Sequence, residues 1–171
     1  IDLGYDKTTI AAVRTGGGFF ATLIGIFVGG LMVSRIDMKT CLFIGVVAQS
    51  LTNLIYSWLA VSSATTGGLA FAVVVDNIAL GAAGTVLIAY MSSLTSSAFT
   101  ATQYALFSSF YALPSKFVGG FSGFMVDAMG YFWFFVITAL FGVPAALLVF
   151  LLNRAEKRFD SDSAATPAQS P

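Results

Sequence analysis

The sequence predicts an all-α integral membrane protein with five transmembrane helices. Three observations predict it: a mean hydropathy of +0.88, a charged content of only 9%, and five apolar stretches each long enough to cross a bilayer. Soluble globular domains carry roughly 25% Asp, Glu, Lys and Arg. A water-facing surface on this chain would be short of charge. Eight cations balance eight anions, so no basic field attracts nucleic acid. The single cysteine, Cys41, permits neither an internal disulfide nor a thiolate metal cluster. The absence of histidine removes Ser-His-Asp hydrolases, HExxH proteases and imidazole metal sites.

A bilayer core about 30 Å thick needs about 20 mostly apolar helical residues, and the five stretches lie at about 8–33, 40–60, 69–91, 102–126 and 131–152. Before the first, Ile1-Asp2-Leu3-Gly4-Tyr5-Asp6-Lys7 reads as a polar loop and not as a signal peptide, as in a piece whose upstream part is missing. Between the first two, Arg35 and Lys39 form a basic loop. The connection Ser62-Ser63-Ala64-Thr65-Thr66-Gly67-Gly68 and the turn Asp127-Ala128-Met129-Gly130 have the small polar residues of tight links. From Asn153 onward, over 153–171, the chain turns polar and rich in Ser, Ala and Pro, which reads as a disordered tail.

Cations fix the orientation. Arg35, Lys39, Arg154, Lys157 and Arg158 fall on one side if five spans are real. The positive-inside rule places the C-terminus in the cytoplasm and Ile1 outside. Tyr56, Trp58, Tyr131 and Trp133 then lie near the outer interface as an aromatic belt. Gly25 with Gly29, and Ser115 with Gly119 and Gly123, recur at the spacing that lets helix backbones approach in lipid.

Three charges lie inside spans: Arg14, Asp76 and Lys116. Each costs about 2.5–3.5 kcal/mol at a helix centre. A rise of 1.5 Å per residue puts them roughly 9, 10 and 15 Å deep, all in the outer half. Asn77 follows Asp76, and Pro114 interrupts the fourth span just before Lys116. Interrupted helices beside intramembrane charges are typical of transporter binding sites. Spans one, three and four are therefore expected to line a cavity, with two and five facing lipid. Gln49 and Asn53 give span two a polar edge toward the bundle. Asp76 is the candidate proton carrier, because an apolar setting favours the neutral form of a carboxyl, while a nearby Lys116 opposes this. A structural Asp76–Lys116 pair is the competing reading, and for Arg14 it is snorkelling to the surface.

One segment has a specific likeness. Phe99-Thr100-Ala101-Thr102-Gln103-Tyr104-Ala105-Leu106-Phe107-Ser108-Ser109 resembles the stretch that marks AmpG-like muropeptide permeases of the major facilitator superfamily. Asp76-Asn77-Ile78-Ala79-Leu80-Gly81-Ala82-Ala83-Gly84-Thr85 resembles the acidic-Asn-Leu-x-Gly-Gly-x-Gly-Thr segment of that family. Lys116-Phe117-Val118-Gly119 stands where the family tends to have Arg, and Gly30-Leu31-Met32-Val33-Ser34-Arg35 resembles its loop after helix eight.

The resemblance implies that the spans are helices eight to twelve of a twelve-helix transporter whose N-terminal half would be a partner. It implies import of GlcNAc-anhydro-muropeptides across the bacterial inner membrane for cell-wall recycling, driven by the proton gradient without a bound cofactor. Arg14 and Lys116 would orient the carboxylates of the anionic glycopeptide, with Asp76 and Asn77 on the proton pathway. Thr102, Gln103 and Tyr104 would help close the cytoplasmic gate, or else form a polar helix start. Two departures stand out: Ser34 replaces the usual Asp of the superfamily's loop signature, and Asp37-Met38 replace its Gly-Arg pair. The alternatives are a sibling permease for acetyl-CoA or another anionic metabolite, and a non-transporting membrane sensor. An intramembrane hydrolase or aspartyl protease lacks its residues, so no enzyme is expected.

Overall fold

Arg35 and Asp37 show how this chain ends one helix and begins the next. Ile36 is extended, and the Asp37 carboxylate accepts from the backbone N–H groups of Lys39 and Thr40 at 3.1 and 3.3 Å. That side chain satisfies donors that the first helical turn leaves unpaired. Asp37, one of the residues at which the sequence departs from the loop signature it resembles, is therefore a helix cap here. Thr65 does the same for the third helix, accepting from the Gly68 N–H at 3.2 Å.

The computed structural model describes residues 13–62, 65–95 and 100–165, with only the backbone at 13, 14, 100 and 156–165. A π-helical turn, Val13–Gly18, leads into α1 (Phe19–Arg35). There follow α2 (Met38–Val61), α3 (Thr66–Ser93) and α4 (Thr100–Ala165). All four are long and apolar enough to cross a membrane. Their outward faces carry large apolar side chains, Phe27 and Phe124 among them at 69% and 74% exposure. Such surfaces belong in lipid. The chain is a membrane protein.

Five helices were expected; among the described residues the last two meet end to end at Gly130 and are counted here together as α4. The fourth and fifth stretches are joined as α4, and its only non-helical residue is Gly130, at φ 78° and ψ 164°. That left-handed φ suits glycine, which has no Cβ to clash. The Asp127–Gly130 connection is thus a kink rather than an open loop. The expected disordered tail also differs, since helix continues through 153–165. Ala155, Glu156, Lys157 and Arg158 are all strong helix formers, which outweigh the polarity of the segment. Residues 166–171 lie outside the described residues.

α3 is the hub. α1 and α2 lie against it while scarcely meeting each other, and α4 packs chiefly on α2. Glycines set these approaches. A Cβ on Gly25 would strike the Ile78 carbonyl, one on Gly29 would lie 2.6 Å from the Ala82 carbonyl oxygen, and one on Gly81 2.5 Å from that of Thr22. Leu59, Leu69, Ala72 and Val73 form the buried α2–α3 core, with Ile55 and Tyr56 against it. The 131–146 part of α4 joins α2 through Tyr56 stacked on Phe135 at 5.1 Å, Ser57 donating to the Phe132 carbonyl at 3.2 Å, and Gly142 seated on Ser50. The expected aromatic belt residues of α2 and α4 therefore share one level.

Candidate functional site

Consecutive residues on a helix point about 100° apart, and α3 uses this to reach both neighbours at once. Asp76 turns to α2, where its Oδ1 accepts from Gln49 Nε2 at 2.9 Å and from Thr52 Oγ1 at 2.8 Å. Asn77 turns to α1, where its Oδ1 accepts from Thr22 Oγ1 at 3.0 Å. The other end of its amide donates to the Val73 carbonyl at 2.7 Å. A polar belt thus ties three membrane helices together at one level. Gly18, closing the π-helical turn, would bring a Cβ to 3.3 Å from the Asn77 amide, so the turn packs directly on the belt.

The α2 end of the belt is the more enclosed. Thr52 is only 3% exposed, and Gln49 Nε2 also donates to Thr52 Oγ1 at 3.2 Å. Gln49 Oε1 is buried without a hydrogen-bond partner. Asp76 is half-buried, and both donors to it are neutral. A carboxylate held by amide and hydroxyl can change its charge without breaking an ion pair. No group of three or more His, Cys, Asp or Glu fit to hold a metal occurs among the described residues.

Of the expected trio Arg14, Asp76 and Lys116, the described side chains are those of Asp76 and Lys116, and these two are not paired. Lys116 is exposed on the 100–129 arm of α4, and among the described residues no ion pair joins it to Asp76. That arm is exposed at every residue from 113 to 121. The partner of Asp76 comes instead from span two, expected to face lipid. The physical reason is the preference of a buried carboxylate for near hydrogen-bond donors. The side chain of Arg14 lies outside the described residues, although its backbone belongs to the π-helical turn. Thr102, Gln103 and Tyr104 stand in the first turns of α4, Thr102 exposed and the other two half-buried.

An apolar cleft of about 360 Å³ runs between α1, α2 and α3, lined by Val28, Ile44, Ala48, Ala79 and Val86 with Thr52 as its polar residue. Its lining suits hydrocarbon and offers a glycopeptide almost no hydrogen bonds.

The model of the Major Facilitator Superfamily matches residues 1–170. The chain belongs to the Major Facilitator Superfamily. Within the superfamily its similarity is of the AmpG type. It is 36% identical over 153 residues to AmpG 4 of Rickettsia conorii, covering 90% of this chain and 37% of that protein. It is 27% identical over 152 residues to the anhydromuropeptide permease of Escherichia coli K12, covering 89% and 31%. A Haemophilus influenzae protein without an assigned function is 29% identical over 156 residues. The chain thus spans about a third of the length of the relatives it matches.

For this superfamily member, sequence reasoning found Asp76, Asn77 and the polar edge of span two, but missed Thr52 and Thr22. A threonine in an apolar helix usually bonds its own backbone, as Thr85 does to the Gly81 carbonyl at 2.9 Å. Only the spacing Gln49-x-x-Thr52, which puts both on the face of one helix, carried a signal.

Proposed function

We propose that the protein serves proton-coupled import of GlcNAc-anhydroMurNAc-peptides across the bacterial inner membrane, for peptidoglycan recycling. The observation that carries the reading is Asp76, an intramembrane carboxylate bound by Gln49 and Thr52. Intramembrane carboxylates are costly, and in transporters they serve as proton relays. The similarity to an anhydromuropeptide permease supplies the substrate class. Transport proceeds by rocking of two helix bundles about a midplane site, with the C-terminus in the cytoplasm.

In this reading Asp76 takes up the proton, and Asn77 holds α1 to the same level of α3. Arg14 and Lys116 orient the carboxylates of the peptide, and Thr102, Gln103 and Tyr104 belong to the cytoplasmic gate. Uptake of labelled anhydro-muropeptide into vesicles containing the protein collapses when a protonophore is added. Asp76→Asn abolishes uptake while membrane insertion is kept. Full uptake by Asp76→Asn, or uptake undiminished without a proton gradient, overturns the proton-coupled reading. Lys116→Arg retains more uptake than Lys116→Ala if the cation orients substrate.

A further inference from the structure

Thr52 has a choice of hydrogen-bond acceptors on two different helices. Its Oγ1 lies 2.8 Å from Asp76 Oδ1 on α3 and 2.9 Å from the Gln49 carbonyl oxygen on its own helix. Gln49 Nε2 approaches the same hydroxyl oxygen at 3.2 Å. A hydroxyl has one proton and two lone pairs, so Thr52 donates to one of these acceptors at a time.

We propose that Thr52 is a positioning residue whose hydroxyl reverses direction as Asp76 gains or loses a proton, holding the carboxyl in one place in both states. The inference rests on the reading of Asp76 as the proton site. With Asp76 charged, the Thr52 hydroxyl and the Gln49 amide both donate to Oδ1. With Asp76 neutral, the added proton sits on Oδ1 and is donated to Thr52 Oγ1. The Thr52 proton then turns to the Gln49 carbonyl, and Thr52 neither gains nor loses a proton. Gln49 Nε2 stays a donor to Asp76 Oδ1 and to Thr52 Oγ1 in both states. Both patterns use the heavy atoms where they stand, so a proton arrives or leaves without a movement of helix.

The ionisable groups on the elements packed around Asp76 are few. Among the described residues α1 carries Arg35 at its C-terminal end, and α2 carries Lys39, Cys41 and Tyr56. On α4 as far as residue 155 they are Tyr104, Tyr111, Lys116, Asp127, Tyr131 and Arg154. Tyr56, one turn beyond Thr52, is the nearest of these along α2 and packs against the Leu59, Leu69, Ala72 and Val73 cluster. The hydrogen-bond partners that the structure gives Asp76 are Gln49 and Thr52.

The test is infrared difference spectroscopy of the protein in lipid vesicles, stepping pH and following the neutral-carboxyl stretch that Asp76→Asn removes. Thr52→Val keeps the shape of the side chain and loses the hydroxyl. It is expected to raise the frequency of that band, because it removes the hydroxyl oxygen that accepts from the neutral carboxyl. Thr52→Ser restores the native band. Uptake falls roughly tenfold in Thr52→Val, as for loss of a hydrogen bond to a charged group, and returns in Thr52→Ser. Should Thr52→Val not insert, Thr52→Cys, a weak donor and acceptor, gives an intermediate shift. A band lost in Asp76→Asn but identical in the native protein and the Thr52 variants overturns the role of Thr52 and leaves the proton site standing. Absence of any Asp76 band overturns the proton site, and Thr52 with it.

Discussion

A carboxylate inside a bilayer survives only with donors close by, and for Asp76 those donors come from one turn of α2. Gln49→Ala leaves the carboxylate with one donor instead of two. It should lower stability by about 1–3 kcal/mol, measured by unfolding in detergent. Gln49→Glu is worse near neutral pH, because it sets a second carboxylate where the amide stood 2.9 Å from Oδ1. Two carboxylates that close share a proton. The deficit of Gln49→Glu therefore shrinks as pH falls and one carboxyl becomes neutral; a deficit independent of pH contradicts the placement. Cys41 gives a check away from the belt. It is 0% exposed, with its thiol donating to the Ile36 carbonyl at 3.6 Å, so maleimide labels it only after unfolding. At this scale the sequence showed which residues are out of place in lipid. Asp76 and Asn77 stand out in an apolar run, whereas Thr52 looks like any helix threonine until the facing helix is known.

The helices illustrate a different limit of legibility. Two runs of small residues, Gly25 with Gly29 and Ser115 with Gly119 and Gly123, look alike on paper. In the structure the first seats against α3, while Gly119 and Gly123 have nothing within 4 Å of an added Cβ. Spacing reveals that a close approach is possible, and only the neighbour decides whether it occurs. Opposite effects of substitution follow. Gly81→Val pushes a branched side chain into the Thr22 carbonyl and Ile26 N–H of α1 and should cost about 1–3 kcal/mol. Gly119→Ala fills open space within a helix and should be neutral or stabilising by about 0.5–1 kcal/mol. Thermal unfolding of the two purified variants compares them directly. Equal losses from both would mean that the 100–129 arm of α4 has a packed neighbour at Gly119.

At the scale of the whole molecule, length against bilayer thickness decides how α4 is arranged. At 1.5 Å per residue its 66 residues amount to roughly 100 Å of helix, against a hydrocarbon core of about 30 Å. One crossing would drive apolar side chains such as Phe117 and Phe124, or Phe141 and Phe150, far into water. Two crossings bury both sets, and they require the chain to fold back at the one residue already out of helical geometry, Gly130. The five-span reading of the sequence and the four helices of the structure then describe one arrangement, with the kink as its fourth connection. Single cysteines placed in a Cys41→Ser background discriminate the arrangements. Asp127→Cys should react with an impermeant maleimide added outside intact cells, while Ala155→Cys should react only after the membrane is opened. Labelling of both from the same side would mean that α4 does not cross twice and that the cations after 152 do not share a side with Arg35 and Lys39.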